Sequence, residues 1–235
     1  MAKDPSVRAS TRAIVGRPID KATPLMHQRG PALQRSGSLR TLPLGLEDDV
    51  RTESVRLLNQ VLADTVMMRD MYKKHHWQAA GPTFYQIHLL FDKHYEEQAA
   101  LVDMLAERVQ ILGGVALGMP HDVADATHIR RLPSDAEETP VQLSRLLEGH
   151  EILIREVREA AHKAADNGDD GTNDVLVSNV LRTNEMQVWF VAEHLVDIPL
   201  VHADRAETAN VNSAHADSTR DHSGDDGEED RPSLS

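Results

Sequence analysis

The 235 residues contain no cysteine. That absence excludes disulfide staples, thiolate zinc sites, iron–sulfur clusters and cysteine nucleophiles, and it fits a reducing, cytoplasmic compartment. No apolar run approaches the ~18 residues that a membrane span requires, so no membrane association is expected. The opening MAKDPSVRAS lacks the apolar stretch of a secretory signal. Its Arg-rich character weakly resembles an organelle transit peptide, but Asp4 and Pro5 oppose that reading. Strand signals are nearly absent as well, which leaves an all-α chain.

Charge divides the sequence into three. Residues 1–40 carry Lys3, Arg8, Arg12, Arg17, Lys21, Arg29, Arg35 and Arg40 against Asp4 and Asp20, a net of +6. Residues 204–235 carry a net of −6, so the segment between them carries −13 of the total of −13. Both ends are rich in Ser, Gly, Pro, Asp, Asn or Arg and show no sustained apolar periodicity. They are expected to be a flexible basic tail over 1–45 and a disordered acidic tail over 204–235, flanking a folded domain over 46–203.

Within that domain, apolar residues recur at helical spacing from Glu47 to Trp77, with Val55, Leu58 and Leu62 on one side and Leu57, Val61 and Met68 on another. Gly81–Pro82 breaks the chain and restarts it. A second helix then runs to Leu112 and stops at Gly113–Gly114. The connection from Val115 to Glu138 predicts one short helix near Asp122–His128. TPVQ at Thr139 to Gln142 reads as a capping box opening a third helix to about Asn167. After the NGDDGT turn, a fourth helix is expected over roughly Asn173 to Leu200. Four long helices with one long middle connection predict a ferritin-like four-helix bundle.

The second helix carries the chemistry. Phe84, Ile87, Phe91, Tyr95, Val102, Leu105, Val109 and Leu112 fall within a stripe about 100° wide, the expected core face. Beside that stripe lie His88 and Asp92, four apart, then Asp103 and Glu107, also four apart. The two pairs share an edge but are separated by about 17 Å along the axis at ~1.5 Å per residue. Ligand atoms must lie about 2 Å from an ion, so one helix cannot close one site from both pairs. Two copies packed antiparallel across a twofold axis would bring one chain's His88 and Asp92 opposite the other's Asp103 and Glu107, twice over. Against this stands the common alternative that acids and histidines beside an apolar stripe form a solvated face, which periodicity alone favours. Asp103 and Glu107 are like charges at i, i+4, costing roughly 0.2–0.5 kcal/mol that a cation would reverse. Asp92 and Glu96 share that spacing without an assigned role.

The run HWQAAGPTFYQIHLLFDKHYEEQAALVDMLAERVQILGGVALG, His76 to Gly118, resembles the Dps family, the DNA-protection-during-starvation proteins or mini-ferritins. The matching pattern is H-W, G-P-x-F, H-x3-D, D-x3-E-R and a closing L-G-G, and the helical layout extends the likeness from about Leu46 to Leu200. The resemblance implies a ferroxidase site with His76, His88 and Asp92 from one subunit and Asp103 and Glu107 from its twofold neighbour. Trp77 matches an aromatic beside that site and reads equally well as a residue packed at the end of the first helix. His75 is expected on the surface, and His94 at the core edge or in solvent. By resemblance the protein oxidises Fe(II), preferentially with hydrogen peroxide, and stores ferric mineral inside a hollow dodecamer, sparing DNA from oxidative damage. Iron is then the metal handled, with zinc a competitor for the same ligands.

An intrasubunit site of the ferritin or bacterioferritin kind needs Glu-x-x-His on two helices. Glu159 and His162 supply one such pair, expected on the surface, and Glu193–His194 has the wrong spacing. The alternative function is a nucleoid-associated DNA-binding protein whose basic N-terminal tail takes up phosphates through counterion release. The acidic tail, with His215 and His222 near DHSGDDGEED, opposes DNA and reads as a solubilising segment.

Overall fold

Helix α1 spans Asp48–Gln78, α2 Phe84–Ile111, the short α3 Pro120–Ala126 and α4 Thr139–Asp166. The fourth long rod is continuous but changes pitch, from α5 (Asp170–Asp174) through a π-helical stretch (Val175–Leu181) to α6 (Arg182–Glu193). These elements come from a computed structural model, which describes residues 32–196. No strand occurs among the described residues, and no helix there is long and apolar enough to cross a membrane. The architecture is the expected all-α, ferritin-like four-helix bundle, with α3 in the long middle connection.

Both apolar sides of α1 are used. Val55, Leu58, Leu62, Leu57, Val61 and Met68 are all buried, because α1 packs against both α2 and α4. Fully buried Leu58, Leu62, Phe91, Leu105, Leu146 and Leu153 run through the core, each stabilising by about 1.5–3 kcal/mol. Gly149 permits the close crossing of α4 over α1, since a Cβ there would sit 2.5 Å from Met68 Sδ.

The ends of the helices differ from expectation in instructive ways. Thr139 is the first residue of α4 rather than its cap, and its hydroxyl donates to Ala80 O at 2.7 Å. Gln142 Nε2 donates to Glu137 O and Gln78 O, so the TPVQ side chains tie α4 to the end of α1 instead of closing a capping box. The short helix begins two residues early, with Pro120 in its first turn. The fourth rod starts at Asp170 because Asp169 is its N-cap, accepting from Thr172 N at 3.0 Å. Asp169 also accepts from Arg108 Nη2 at 2.6 Å, which joins that cap to α2. The rod's helix ends at Glu193, and its expected extension to Leu200 lies outside the described residues.

Of the basic N-terminal segment, Lys3, Arg8, Arg12, Arg17, Lys21 and Arg29 lie outside the described residues, as does the acidic segment 204–235. Arg35 and Arg40 are described and exposed. Arg40 N and Gln34 Nε2 both donate to Gly113 O at 2.8 Å, laying residues 34–40 across the end of α2. Buried Arg51 completes the junction, donating to Arg40 O at 2.9 Å and to Leu112 O at 3.1 Å. Gly113 has φ +86°, and a Cβ there would meet Arg40 O at 2.5 Å, so only glycine fits.

The core face of α2 is rotated from the expected stripe. Its buried residues are Ile87, Phe91, His94, Gln98, Leu101, Leu105 and Val109, whereas Phe84 is 45% exposed and Tyr95 and Val102 are half-buried. The shift is about 30° at 100° per residue. It arises because polar side chains occupy the bundle centre. Tyr72 Oη donates to His150 Nε2 at 2.6 Å, and His150 Nδ1 donates to Asn184 Oδ1 at 3.0 Å. Gln98 Nε2 donates to Asn184 Oδ1 and to Gln187 Oε1, at 2.9 and 2.8 Å. Gln187 Nε2 then reaches Glu97 Oε2 at 2.9 Å on the rim. Since Asn184 Oδ1 can only accept, the network fixes the His150 tautomer.

Candidate metal centre

His76 and His88 face each other where α1 and α2 run side by side. Their rings stack with centroids 3.7 Å apart at 21°. His76 Nδ1 donates to His88 O at 2.8 Å, and His88 Nδ1 donates to His76 O at 2.9 Å. This reciprocal pairing holds both protons on Nδ1 and leaves both Nε2 lone pairs without a proton. It is the arrangement by which a metal-ligating histidine is oriented from behind. Both residues are half-buried, and Phe84 packs its ring 5.0 Å from His88.

Asp92, one turn beyond His88 on α2, joins them, with Oδ1 3.9 Å from His76 Nδ1. The same oxygen accepts from Lys73 Nζ at 2.6 Å, and Lys73 also lies over the Tyr95 ring. The Lys73 ammonium holds the Asp92 carboxyl below its usual range, and the carboxylate in turn raises the lysine. A dication held by this trio would replace Lys73 as the counter-charge of Asp92. Lys73 was not singled out from sequence. It sits three residues before His76, one helical turn away on the same face, which is the signal that could have found it.

Asp103 and Glu107 stand apart from that trio. Both are exposed on the distal half of α2, without a hydrogen-bond partner among the described residues. Glu107 lines an open depression with Ala106, Gln110, Ile111 and Ala116. The five candidate ligands are thus split within one chain into a stacked histidine pair with Asp92 beside it and a solvent-facing pair. Large apolar side chains flank both halves: Trp77, Tyr85 and Leu89 near the trio, and Ile111 near the pair, are all exposed.

Trp77 is 72% exposed rather than packed among the described residues at the end of α1, since it follows His76 on the outer side of that helix. His75, expected on the surface, is fully buried beside Phe91. Adjacent helical residues point about 100° apart, so with His76 turned to His88 the preceding ring is driven into the bundle. His94 is also fully buried, its ring edge-on to Tyr72 at 5.1 Å, rather than at the edge of the core. Glu159 and His162 are both exposed, and Glu159 pairs with Lys163.

Comparison with known proteins agrees with this architecture. A family model described as a ferritin-like domain matches residues 55–201. The structure of DpsC from Streptomyces coelicolor is 56% identical, covers 73% of this chain and 99% of its own, and superposes with a TM-score of 0.72. An archaeal Dps homologue from Halobacterium salinarum is 27% identical over 74% of this chain and 96% of its own, with a TM-score of 0.70. In sequence, a DNA protection during starvation protein from Agrobacterium fabrum is 28% identical over 64% of this chain and 92% of its own. The chain therefore belongs to the ferritin-like superfamily and, within it, to the Dps family.

Proposed function

We propose that this protein is an iron-binding mini-ferritin that oxidises Fe(II) at sites shared between twofold-related subunits. His76, His88 and Asp92 of one subunit would take the ferrous ion together with Asp103 and Glu107 of its neighbour. The observation that carries the reading is the histidine pair, each ring tethered through Nδ1 to the other's carbonyl, with Asp92 alongside. Imidazole and carboxylate tolerate both oxidation states of iron and leave positions open for an oxidant. The exposed apolar residues at both ends of α2 support a second copy covering that face. Twofold pairs assembling into a hollow dodecamer would enclose the ferric product in the cytoplasm.

With hydrogen peroxide as oxidant the step balances simply. Two ferrous ions each give one electron, the O–O bond breaks, and two protons complete two waters. The protein's own part is to hold the ions, exclude competing one-electron chemistry and supply carboxylate charge that favours the ferric state. Anaerobic Fe(II) titrated with peroxide should be consumed at about two irons per peroxide, with ferric mineral eluting with the assembled protein. Zn(II), which takes the same ligands without redox chemistry, should slow the reaction. Oxidation no faster than in buffer, with no iron retained, would sink the proposal.

A second activity, non-specific DNA binding, is supported by the +6 charge of residues 1–40. The name nutrient stress-induced DNA-binding protein, carried by relatives 28% identical to this chain, points the same way. Phosphate contacts by this tail predict affinity that falls steeply with salt, with a log–log slope of about −0.9 per phosphate neutralised. Deleting residues 1–31 should abolish retention of duplex DNA at low salt. Full-length protein that fails to shift DNA even there would end this second reading.

A further inference from the structure

Away from the His76–His88 pair, three more metal-capable side chains converge. Asp64 lies on α1, twelve residues and about 18 Å before His76 along the helix. Glu156 lies on α4, and His128 in the connection after α3. One ligand atom from each falls within 4.8 Å of the others. His128 Nδ1 contacts Glu156 Oε1. Asp64 is fully buried. Its Oδ1 accepts from His128 N at 2.8 Å and Thr127 Oγ1 at 2.5 Å, and its Oδ2 from Gln60 Nε2 at 2.9 Å. The second oxygen of Glu156 is buried and has no hydrogen-bond partner.

Two carboxylates from different helices in one desolvated spot repel each other unless something positive lies between them. Burial, and then Asp64, push the Glu156 carboxyl up to about 7, while contact with Glu156 raises His128. A proton carried by Glu156 and shared with Asp64 would neutralise the pair, and so would a metal ion, which could in addition draw on the His128 ring nitrogen as a third ligand. An oxygen, oxygen and nitrogen donor set suits a divalent first-row transition ion, and the exposed His128 leaves the outer side open for water ligands. A small cavity of about 140 Å³ borders the cluster, lined by His128, Glu156, Gln60, Glu159, Arg56 and Lys163. Its two cations are already matched, Arg56 by Glu53 and Lys163 by Glu159, so they do not bar a dication.

We propose that Asp64, His128 and Glu156 form a second divalent-cation site, which clamps the connection after α3 onto α1 and α4. It is built within one subunit and shares no ligand with the intersubunit site. The clamp follows from connectivity, because Asp64 already holds the backbone of His128, and a metal would add the side chains of His128 and Glu156 to the same anchor.

The test uses full-length protein carrying His88→Ala, Asp92→Ala, Asp103→Ala and Glu107→Ala, so that the shared site cannot contribute. Zn(II) titration by calorimetry should show one ion per subunit and raise the thermal midpoint. Adding Glu156→Gln, or separately His128→Ala at an exposed position, should weaken Zn(II) binding by about tenfold or more and remove the thermal shift. The proposal is overturned if the quadruple variant binds no Zn(II), or if binding persists undiminished in both added variants, which would locate it elsewhere. It is equally overturned if Glu156→Gln stabilises the metal-free protein while Zn(II) changes nothing, which would mean that the pair holds only a proton. Each of these outcomes is independent of whether the intersubunit site oxidises iron.

Discussion

Two inactive variants, refolded together, should recover about a quarter of the wild-type iron oxidation. Variant one carries His88→Ala and Asp92→Ala, and variant two Asp103→Ala and Glu107→Ala. Each alone should lose at least about 100-fold in rate, because removing two ligands costs more than the 10–100-fold typical of losing a supporting residue. In a twofold pair made of one of each, one site combines both damaged halves and the other combines both intact halves. Random pairing makes about half of all pairs mixed, and half of their sites intact, hence the quarter. The split observed in α2 motivates the experiment, since the trio at one end and the exposed pair at the other cannot meet within one chain. Co-assembly must be verified, for example with one variant tagged. Mixed assemblies that stay inactive would rule out shared sites, whereas variant two retaining activity alone would mean that the trio suffices.

Much of this was legible in the sequence, for an identifiable reason. Helical periodicity fixes which residues of α2 share an edge, so the grouping of His88 with Asp92 and of Asp103 with Glu107 follows from arithmetic. His76 is different. Nothing local distinguishes it from His75, and only the resemblance selected it; the structure distinguishes them by burial, one turned inward and one toward His88. The polar bundle centre could not be read because Gln98, Asn184, Gln187 and His150 look like solvent-facing positions until their partners on other helices are known. Counting them as polar displaced the inferred core face toward Tyr95 and Val102. Asp64, His128 and Glu156 were invisible for a related cause, being brought together by the path of the long middle connection rather than by any spacing.

Acid should destabilise this bundle steeply, and the buried histidines set the size of the effect. Burial pushes His75 and His94 down to about 4 and His150 to about 3, against about 6.5 in an unfolded chain. A depressed histidine stays neutral in the folded state while the unfolded state takes up a proton. Stability therefore falls as pH drops below about 6.5 and levels off only beneath the folded values. Between pH 7 and 5 each ring costs about 2 kcal/mol, so the three together approach 5–6 kcal/mol, comparable to the whole stability of many domains. Glu156 runs the other way, since its raised carboxyl favours the folded state as pH falls from 7 toward 4.5, and it offsets part of the loss. His75 and His94 isolate the effect, because both are buried with neither ring nitrogen hydrogen-bonded. Replacing both with phenylalanine should leave the urea midpoint at pH 7 nearly unchanged or higher, and recover about 4 kcal/mol of the fall on acidification to pH 5. If the double variant loses as much stability between pH 7 and 5 as the wild type, the acid sensitivity does not lie in His75 and His94.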